Sequence, residues 1–177
     1  MPFLLRDYQR ESLGAIYSAY ERGVRRQVIS LPTGSGKTIV FAHLIAQRDG
    51  RAIILVHRDE LITQAREKLQ MIAPWLQVGI VQGRRNDILS QCVIASVQTI
   101  SRKNRLSSLQ KEFRTVIVDE AHHAPAPTYL RVLEHVGVFN ERVAALEPKI
   151  AALEMKAVTG SHPVSYTPLR AHETEAE

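Results

Sequence analysis

The chain has 177 residues, of which 45% are hydrophobic and 23% charged, so it is long enough for one ordinary domain with a buried core. This composition excludes a disordered chain, and the lack of any run of about 18 apolar residues predicts no membrane span. The formal net charge of +5 is compatible with a nucleic-acid partner without requiring one.

Helical patterns alternate with short apolar runs along the chain. Helices are predicted over residues 8–22, 37–48 and 60–72. Residues 139–156 are also predicted to be helical, with Pro148 either kinking the helix or starting a second one. Strands are predicted over residues 27–31, 52–56, 78–81, 92–95 and 115–118. These strands are β-branched runs without polar alternation, which is typical of a parallel sheet buried on both faces. The pattern therefore predicts an α/β fold, a three-layer doubly wound arrangement in which helices cover both faces of a mainly parallel sheet.

A glycine-rich segment follows the first predicted strand and opens the next helix. Gly34 and Gly36 would let the backbone approach a triphosphate, Lys37 would reach the β- and γ-phosphates, and the Thr38 hydroxyl would bind Mg²⁺. A strict phosphate-loop pattern has another glycine where this chain has Leu31, but the strand–turn–helix context is the one that the chemistry requires. The predicted nucleotide-binding residues of this loop are Thr33, Gly34, Ser35, Gly36, Lys37 and Thr38.

Two carboxylates follow the last predicted strand. Asp119 could hold Mg²⁺, and Glu120 is the candidate general base for the attacking water. Ligands of such sheets bind beyond the carboxyl ends of the strands, so we expect this acidic pair to meet the phosphate loop at one site.

Five segments, in order, resemble the motifs of superfamily 2 helicases. They are residues 6–9 (RDYQ), 32–38 (PTGSGKT), 56–61 (VHRDEL), 94–99 (IASVQT) and 118–122 (VDEAH). The resemblance covers residues 3–136 and is closest to the branch of bacterial DEAH-box DNA repair helicases and restriction-enzyme motor subunits.

The resemblance implies a RecA-like phosphate-loop NTPase domain that uses ATP and Mg²⁺ and acts on nucleic acid, with DNA favoured over RNA. It implies that Gln9 and Arg6 contact the adenine and that His122 couples the ATP site to the rest of the motor. The implied nucleic-acid contacts are His57, Arg58, Ser96, Gln98 and Thr99.

The family motor also needs a second RecA-like domain that supplies an arginine finger. We assign residues 1–159 to an ATP-binding domain that is incomplete at its C-terminal end, because residues 155–159 begin like the next motif but continue with Gly160. Residues 160–177 form a tail without a motif. Part of this tail, residues 163–174, resembles translated sequencing-adapter DNA. We therefore expect the true reading frame to leave near Thr159 and the rest to be spurious, with a short disordered natural terminus as the alternative.

Several interpretations remain open for the function. The chain could belong to an ATP-dependent helicase or translocase, to the motor subunit of a restriction endonuclease, or to a nucleotide-binding fragment without motor activity. A protein-kinase catalytic loop at residues 57–59 is excluded, because Gln64 stands where that motif needs asparagine.

The lone Cys92, in an apolar run, predicts an inert buried thiol and a reducing, cytoplasmic setting.

Overall fold

A computed structural model describes residues 4–32, 34–110 and 112–139 and the backbone of two short strands, 150–151 and 166–168. The helices are α1 (Asp7–Glu21), α2 (Lys37–Ala46), α3 (Asp59–Ile72), α4 (Val97–Ile100), α5 (Lys103–Ser108) and α6 (Pro127–His135). The strands are β1 (Gln27–Ile29), β2 (Arg51–Val56), β3 (Val78–Gln82), β4 (Arg85–Asn86), β5 (Cys92–Ser96), β6 (Phe113–Val118), β7 (Ile150–Ala151) and β8 (Tyr166–Pro168).

Six of the strands form one sheet in the order β4-β3-β5-β2-β6-β7. Neighbouring strands run parallel throughout, except that β4 returns antiparallel to β3 at the edge. The mainly parallel sheet that the sequence predicts is therefore confirmed. β1 pairs instead with β8, in the antiparallel sense. β8 lies within residues 160–177, and the division between the domain and this tail stays a prediction.

The central strand β2 shows why polar alternation is missing from the sequence. Ala52, Ile54 and Val56 pack into a core with α1, α2 and α3, whereas Ile53 and Leu55 point into a second core with α4, α5 and α6. All five side chains are buried. Helices therefore cover both faces of the sheet, as predicted, and each strand must be apolar on both sides because neither face meets water.

The prediction of helical structure over residues 139–156 is wrong at Ile150 and Ala151. These two residues form β7, whose backbone pairs with Thr115 and Val116 of β6. An edge strand of a sheet offers unpaired backbone groups, and a neighbouring segment that satisfies them gains more than an isolated helical turn would. Residues 140–149 and 152–156 lie outside the described residues. Among the helices that the structure describes, none has the length and apolar character needed to cross a membrane.

Cys92 begins β5 and is completely buried, which confirms the predicted buried thiol. Burial raises the pKa of this thiol to about 12. An unfolded cysteine has a pKa near 8.5, so at pH 8 the folded chain should hold about 10³-fold less thiolate. We expect labelling by a disulfide reagent such as DTNB to be slower than in denaturant by at least that factor, measured by absorbance. Fast stoichiometric labelling of the native chain would show that β5 is accessible.

Candidate nucleotide site and nucleic-acid face

The phosphate loop connects β1 to α2 and depends on two glycines. Gly34 and Gly36 have φ angles of 77° and 74°, a left-handed conformation that favours glycine. A side chain at Gly36 would also collide with Gln9, because its Cβ would lie 2.8 Å from Nε2. Lys37 and Thr38 then open α2, whose positive N-terminal dipole favours bound phosphate. Thr33, the remaining predicted member of the loop, lies outside the described residues.

Two side chains from α1 hold this loop by one carbonyl group. The Ser35 carbonyl oxygen accepts hydrogen bonds from the Tyr8 hydroxyl and from Gln9 Nε2, each at 2.8 Å. Gln9 Oε1 in turn accepts from the backbone N–H of Arg6 at 3.0 Å, and the Arg6 guanidinium donates to the Tyr8 hydroxyl at 3.3 Å. Gln9 is only 3% exposed, so its amide lies directly under the phosphate loop.

The contact of Gln9 and Arg6 with adenine stays a prediction, since the groups that these residues touch here are protein atoms. The Gln9 amide keeps one N–H and one lone pair beyond the bonds to Ser35 and Arg6, so it has the capacity for a further partner. Tyr8 also supports the phosphate loop, and the sequence analysis did not predict it as a site residue. Its position beside Gln9 in a helical first turn is the signal that could have indicated it.

The acidic motif leaves β6 at its carboxyl end. The N–H of Asp119 donates to the Leu55 carbonyl at 2.9 Å, which continues the pairing with β2. Burial raises the pKa of the Asp119 carboxyl, and the neighbouring Glu120 carboxylate raises it further. The Lys37 ammonium and the Glu120 N–H, which donates to Asp119 Oδ1 at 3.1 Å, oppose this shift. The loop and the acidic motif are thus in electrostatic contact, as their positions at strand ends predict.

The donor set at this point is suited to a hard cation. Thr38 offers a hydroxyl, and Asp119 offers a carboxylate whose ionisation burial disfavours, so a nearby divalent cation would offset that cost. The Ser35 hydroxyl oxygen is buried in the same loop without a hydrogen-bond partner, which leaves a polar group ready for a ligand. These residues fit Mg²⁺ bound together with a phosphate.

Glu120 has an unusual backbone. Its φ of 58° makes it the one non-glycine residue with positive φ among the described residues. Such a conformation costs about 1–3 kcal/mol and clusters at functional sites. Glu120 immediately precedes the 3₁₀ turn Ala121–His123. Its carboxylate lies 3.3 Å from His122 Nδ1, and both side chains are partly exposed. The residue proposed as the general base is therefore the one whose backbone is strained.

Three imidazole rings connect this acidic motif to the end of β2. His123 stacks on His57 with 4.5 Å between ring centroids, and His122 lies 4.0 Å from His123. Burial lowers the pKa of His123, and the nearby His122 and His57 lower it further. His123 should therefore be neutral near pH 7 and form an uncharged contact between two predicted motifs.

The predicted nucleic-acid residues lie at two neighbouring strand ends. β2 and β5 pair in parallel up to Val56 and Ser96, so the segments that follow them are adjacent. Arg58 and Gln98 are exposed there, and His57 is half-buried. Two further predicted contacts, Ser96 and Thr99, are only 2% and 7% exposed, so little of either residue is available to a ligand in this structure.

A phosphate loop that opens a helix, close to a DEAH-type acidic motif at the carboxyl end of a mainly parallel sheet, defines the ATP-binding domain of helicase-type motors. The chain belongs to the family described as "Type III restriction enzyme, res subunit", whose model matches residues 2–143. The resemblance to superfamily 2 helicases is thereby confirmed.

Relatives and solved structures agree with this assignment. A Schizosaccharomyces pombe protein named as a mitochondrial ATP-dependent helicase, irc3, is 37% identical over 78% of this chain and 24% of its own length. The "DNA 3'-5' translocase XPB2" of Sulfurisphaera tokodaii is 31% identical over 71% of this chain and 26% of its own. The chain thus spans about a quarter of these relatives. The UvsW helicase of bacteriophage T4 shares the fold, with a TM-score of 0.61, 17% identity and coverage of 88% of this chain and 53% of that chain.

Proposed function

We propose that the chain is the ATP-binding half of an ATP-dependent DNA helicase or translocase. The observation that carries this proposal is the phosphate loop, with Gly34 and Gly36 at positive φ before α2, together with an acidic motif whose Glu120 has a strained backbone. The Lys37 ammonium lowers the pKa of the Asp119 carboxyl, so a cation for phosphate, a proposed metal-binding carboxylate and a candidate base lie near one another. The names of the relatives, which are helicases and a translocase, support the same class.

Each group at the site has a proposed task in ATP hydrolysis. Lys37 binds the β- and γ-phosphates, while Thr38 and Asp119 hold Mg²⁺, which neutralises charge on the phosphates when it is bound. Glu120 orients and deprotonates the attacking water. His122 lies within reach of the Glu120 carboxylate, which supports its proposed role in coupling hydrolysis to the rest of the motor.

The adenine end of the site is assigned to α1. We propose that Gln9 and Arg6 bind the base, because Gln9 lies directly below the phosphate loop that would hold the other end of the nucleotide. In that arrangement, the Gln9 amide would contact the adenine and the Ser35 carbonyl of the phosphate loop at the same time.

The nucleic-acid strand is proposed to lie across the ends of β2 and β5. Arg58 and Gln98 would contact its sugar-phosphate backbone with their side chains. Ser96 and Thr99 are further proposed contacts at the end of β5, although both are largely buried here. His57 would connect this face to His123. Contacts of this kind are sensitive to salt and largely independent of base sequence. DNA is favoured because the translocase among the relatives carries DNA in its name.

A second RecA-like domain in the whole protein would complete the ATP site with an arginine finger. The length of the relatives, about four times the matched part, supports this proposal. A restriction-endonuclease motor subunit is the second candidate, and the description of the family favours it. A cytoplasmic location remains part of the proposal, on the evidence of the single buried cysteine.

ATP turnover with and without DNA tests the proposed function. We expect the 177-residue chain to bind Mg·ATP but to hydrolyse it very slowly, because an arginine finger contributes about 10³–10⁵ to turnover in related NTPases. The longer protein should show DNA-stimulated hydrolysis. Strand separation would identify a helicase, and displacement of a triplex strand without separation would identify a restriction-type translocase. Vigorous DNA-stimulated hydrolysis by the 177-residue chain alone would contradict the need for a second domain. If the longer protein shows no DNA-stimulated hydrolysis, the interpretation as a nucleotide-binding fragment without motor activity would be favoured.

A further inference from the structure

The turn between β3 and β4 lies on the proposed nucleic-acid face, although none of the five motif segments identified in the sequence includes it. β3 and β5 are parallel neighbours, with Val81 opposite Ala95, so the turn that follows β3 lies beside the end of β5. The N–H of Gly83 in this turn donates to Thr99 Oγ1 at 3.4 Å. The turn is therefore attached to one of the segments proposed to hold the nucleic-acid strand.

A single arginine from α5 keeps this turn in place. Arg105 Nη2 donates to the carbonyl oxygens of Gly83 at 3.1 Å and Arg84 at 3.4 Å, and Nη1 donates to the carbonyl oxygen of Arg85 at 3.3 Å. A guanidinium that spans three carbonyls is engaged with protein and is not presented to a phosphate. Lysine has the same charge but no planar fork, so it could not reproduce this arrangement.

The turn that Arg105 holds presents positive charge. Arg84 is exposed, and within the described part of the chain its guanidinium has no carboxylate partner, whereas Arg85 lies 3.7 Å from Asp87. The basic side chains between residues 83 and 105 are Arg84, Arg85, Arg102, Lys103 and Arg105, against Asp87 as the acidic one. Arg84 is thus a cation fixed by its backbone beside Thr99, with its side chain directed to solvent.

We propose that Arg84 binds a phosphate of the nucleic-acid strand and that Arg105 is a positioning residue for it. The turn of residues 83–85 then becomes a third contact for the nucleic acid, after the ends of β2 and β5. It extends the path of the nucleic-acid strand towards the edge of the sheet that β3 and β4 form. The ligand is the sugar-phosphate backbone, so the contact carries no base preference. This inference rests on the proposed function, because it needs a strand held at Arg58 and Gln98.

The salt dependence of oligonucleotide binding tests the contact. We would titrate a fluorescein-labelled oligothymidylate with the 177-residue chain at several salt concentrations and follow its anisotropy. Arg84→Ala should weaken binding roughly fivefold to tenfold at low salt, and should reduce the slope of log K against log salt by about 0.7, the loss of one phosphate contact. Arg22→Ala is the matched control, because Arg22 is an exposed arginine that precedes the amino end of β1, opposite the strand ends that carry the site.

The variant Arg105→Lys separates position from charge. Net charge is unchanged, yet the variant should lose affinity and slope as Arg84→Ala does, and the double variant should be no weaker than either single one. Circular dichroism and the urea midpoint would verify that each variant is folded. Wild-type binding by Arg105→Lys would overturn the positioning role.

Two results would overturn the contact at different levels. If Arg58→Ala weakens binding while Arg84→Ala behaves like Arg22→Ala, the proposed nucleic-acid contact at the end of β2 is supported and the contact at Arg84 is refuted. If the unmodified chain fails to bind the oligonucleotide even at the lowest salt, both the third contact and the proposed nucleic-acid face are refuted.

Discussion

Lys37→Ala should weaken the binding of Mg·ATP by roughly 10- to 150-fold, the equivalent of about 1.5–3 kcal/mol for hydrogen bonds to a charged group. Lys37 is the first residue of α2 and the cation that acts on Asp119. Its removal takes a positive charge from the phosphates and also removes an influence that lowers the pKa of the Asp119 carboxyl. The carboxylate that we propose to bind the metal should then be ionised less readily, so metal and nucleotide should both be bound less well.

Isothermal titration with a non-hydrolysable ATP analogue and Mg²⁺ measures this effect on the 177-residue chain. Lys103→Ala is the control, because it removes the same charge from an exposed position on α5. Its affinity for the analogue should equal that of the unmodified chain. Equal affinity in Lys37→Ala would mean that the loop does not bind phosphate through this lysine.

Glu120→Gln should leave ATP binding intact and reduce kcat in the longer, DNA-stimulated protein by about 10²–10⁴-fold, the contribution of a general base. Glutamine has the same size and would adopt the same left-handed backbone at φ 58°, so the variant tests the carboxylate rather than the strain. The effect should appear in kcat with little change in KM, because the proton is transferred only during reaction.

Steady-state hydrolysis, together with separate nucleotide binding, distinguishes the two steps. Glu112→Gln makes the same change on an exposed residue just before the amino end of β6, away from the site, and should turn over normally. Normal turnover in Glu120→Gln would remove this residue from the role of base and leave its strained backbone unexplained.

Local sequence was enough for much of the nucleotide site. Gly34, Gly36 and Lys37 lie within four consecutive residues, and the conformations of the two glycines follow from glycine's access to positive φ at the start of a helix. Asp119 and Glu120 were indicated equally well, because a buried strand that ends in acidic residues is a local pattern. Their approach to the phosphate loop was expected from the rule that ligands bind beyond strand carboxyl ends. The structure adds that β1, which precedes the loop, pairs with β8 and not with the six-stranded sheet.

Other contacts could not be inferred because they join residues that are distant in the chain. The bond of Tyr8 to Ser35 depends on how α1 packs beside the loop, and the stack of His57 on His123 depends on the register of β2 and β6. The prediction at Ile150 was wrong for a related reason, since an Ala-, Glu- and Leu-rich segment favours a helix until a sheet edge offers its backbone better partners.

The basic residues near α5 illustrate the limit most clearly. Arg102, Lys103 and Arg105 lie close together in the sequence, and charge alone does not separate a phosphate contact from a solvated surface. The side-chain bonds of Arg105 to three carbonyls assign it to the protein's own turn and leave Arg84 as the outward cation. Local pattern thus determined the class of fold, the phosphate loop and the acidic motif, because each is encoded by neighbouring residues. Which of several similar charges meets a ligand was decided only by the tertiary structure, because a guanidinium's partners depend on segments that folding brings together.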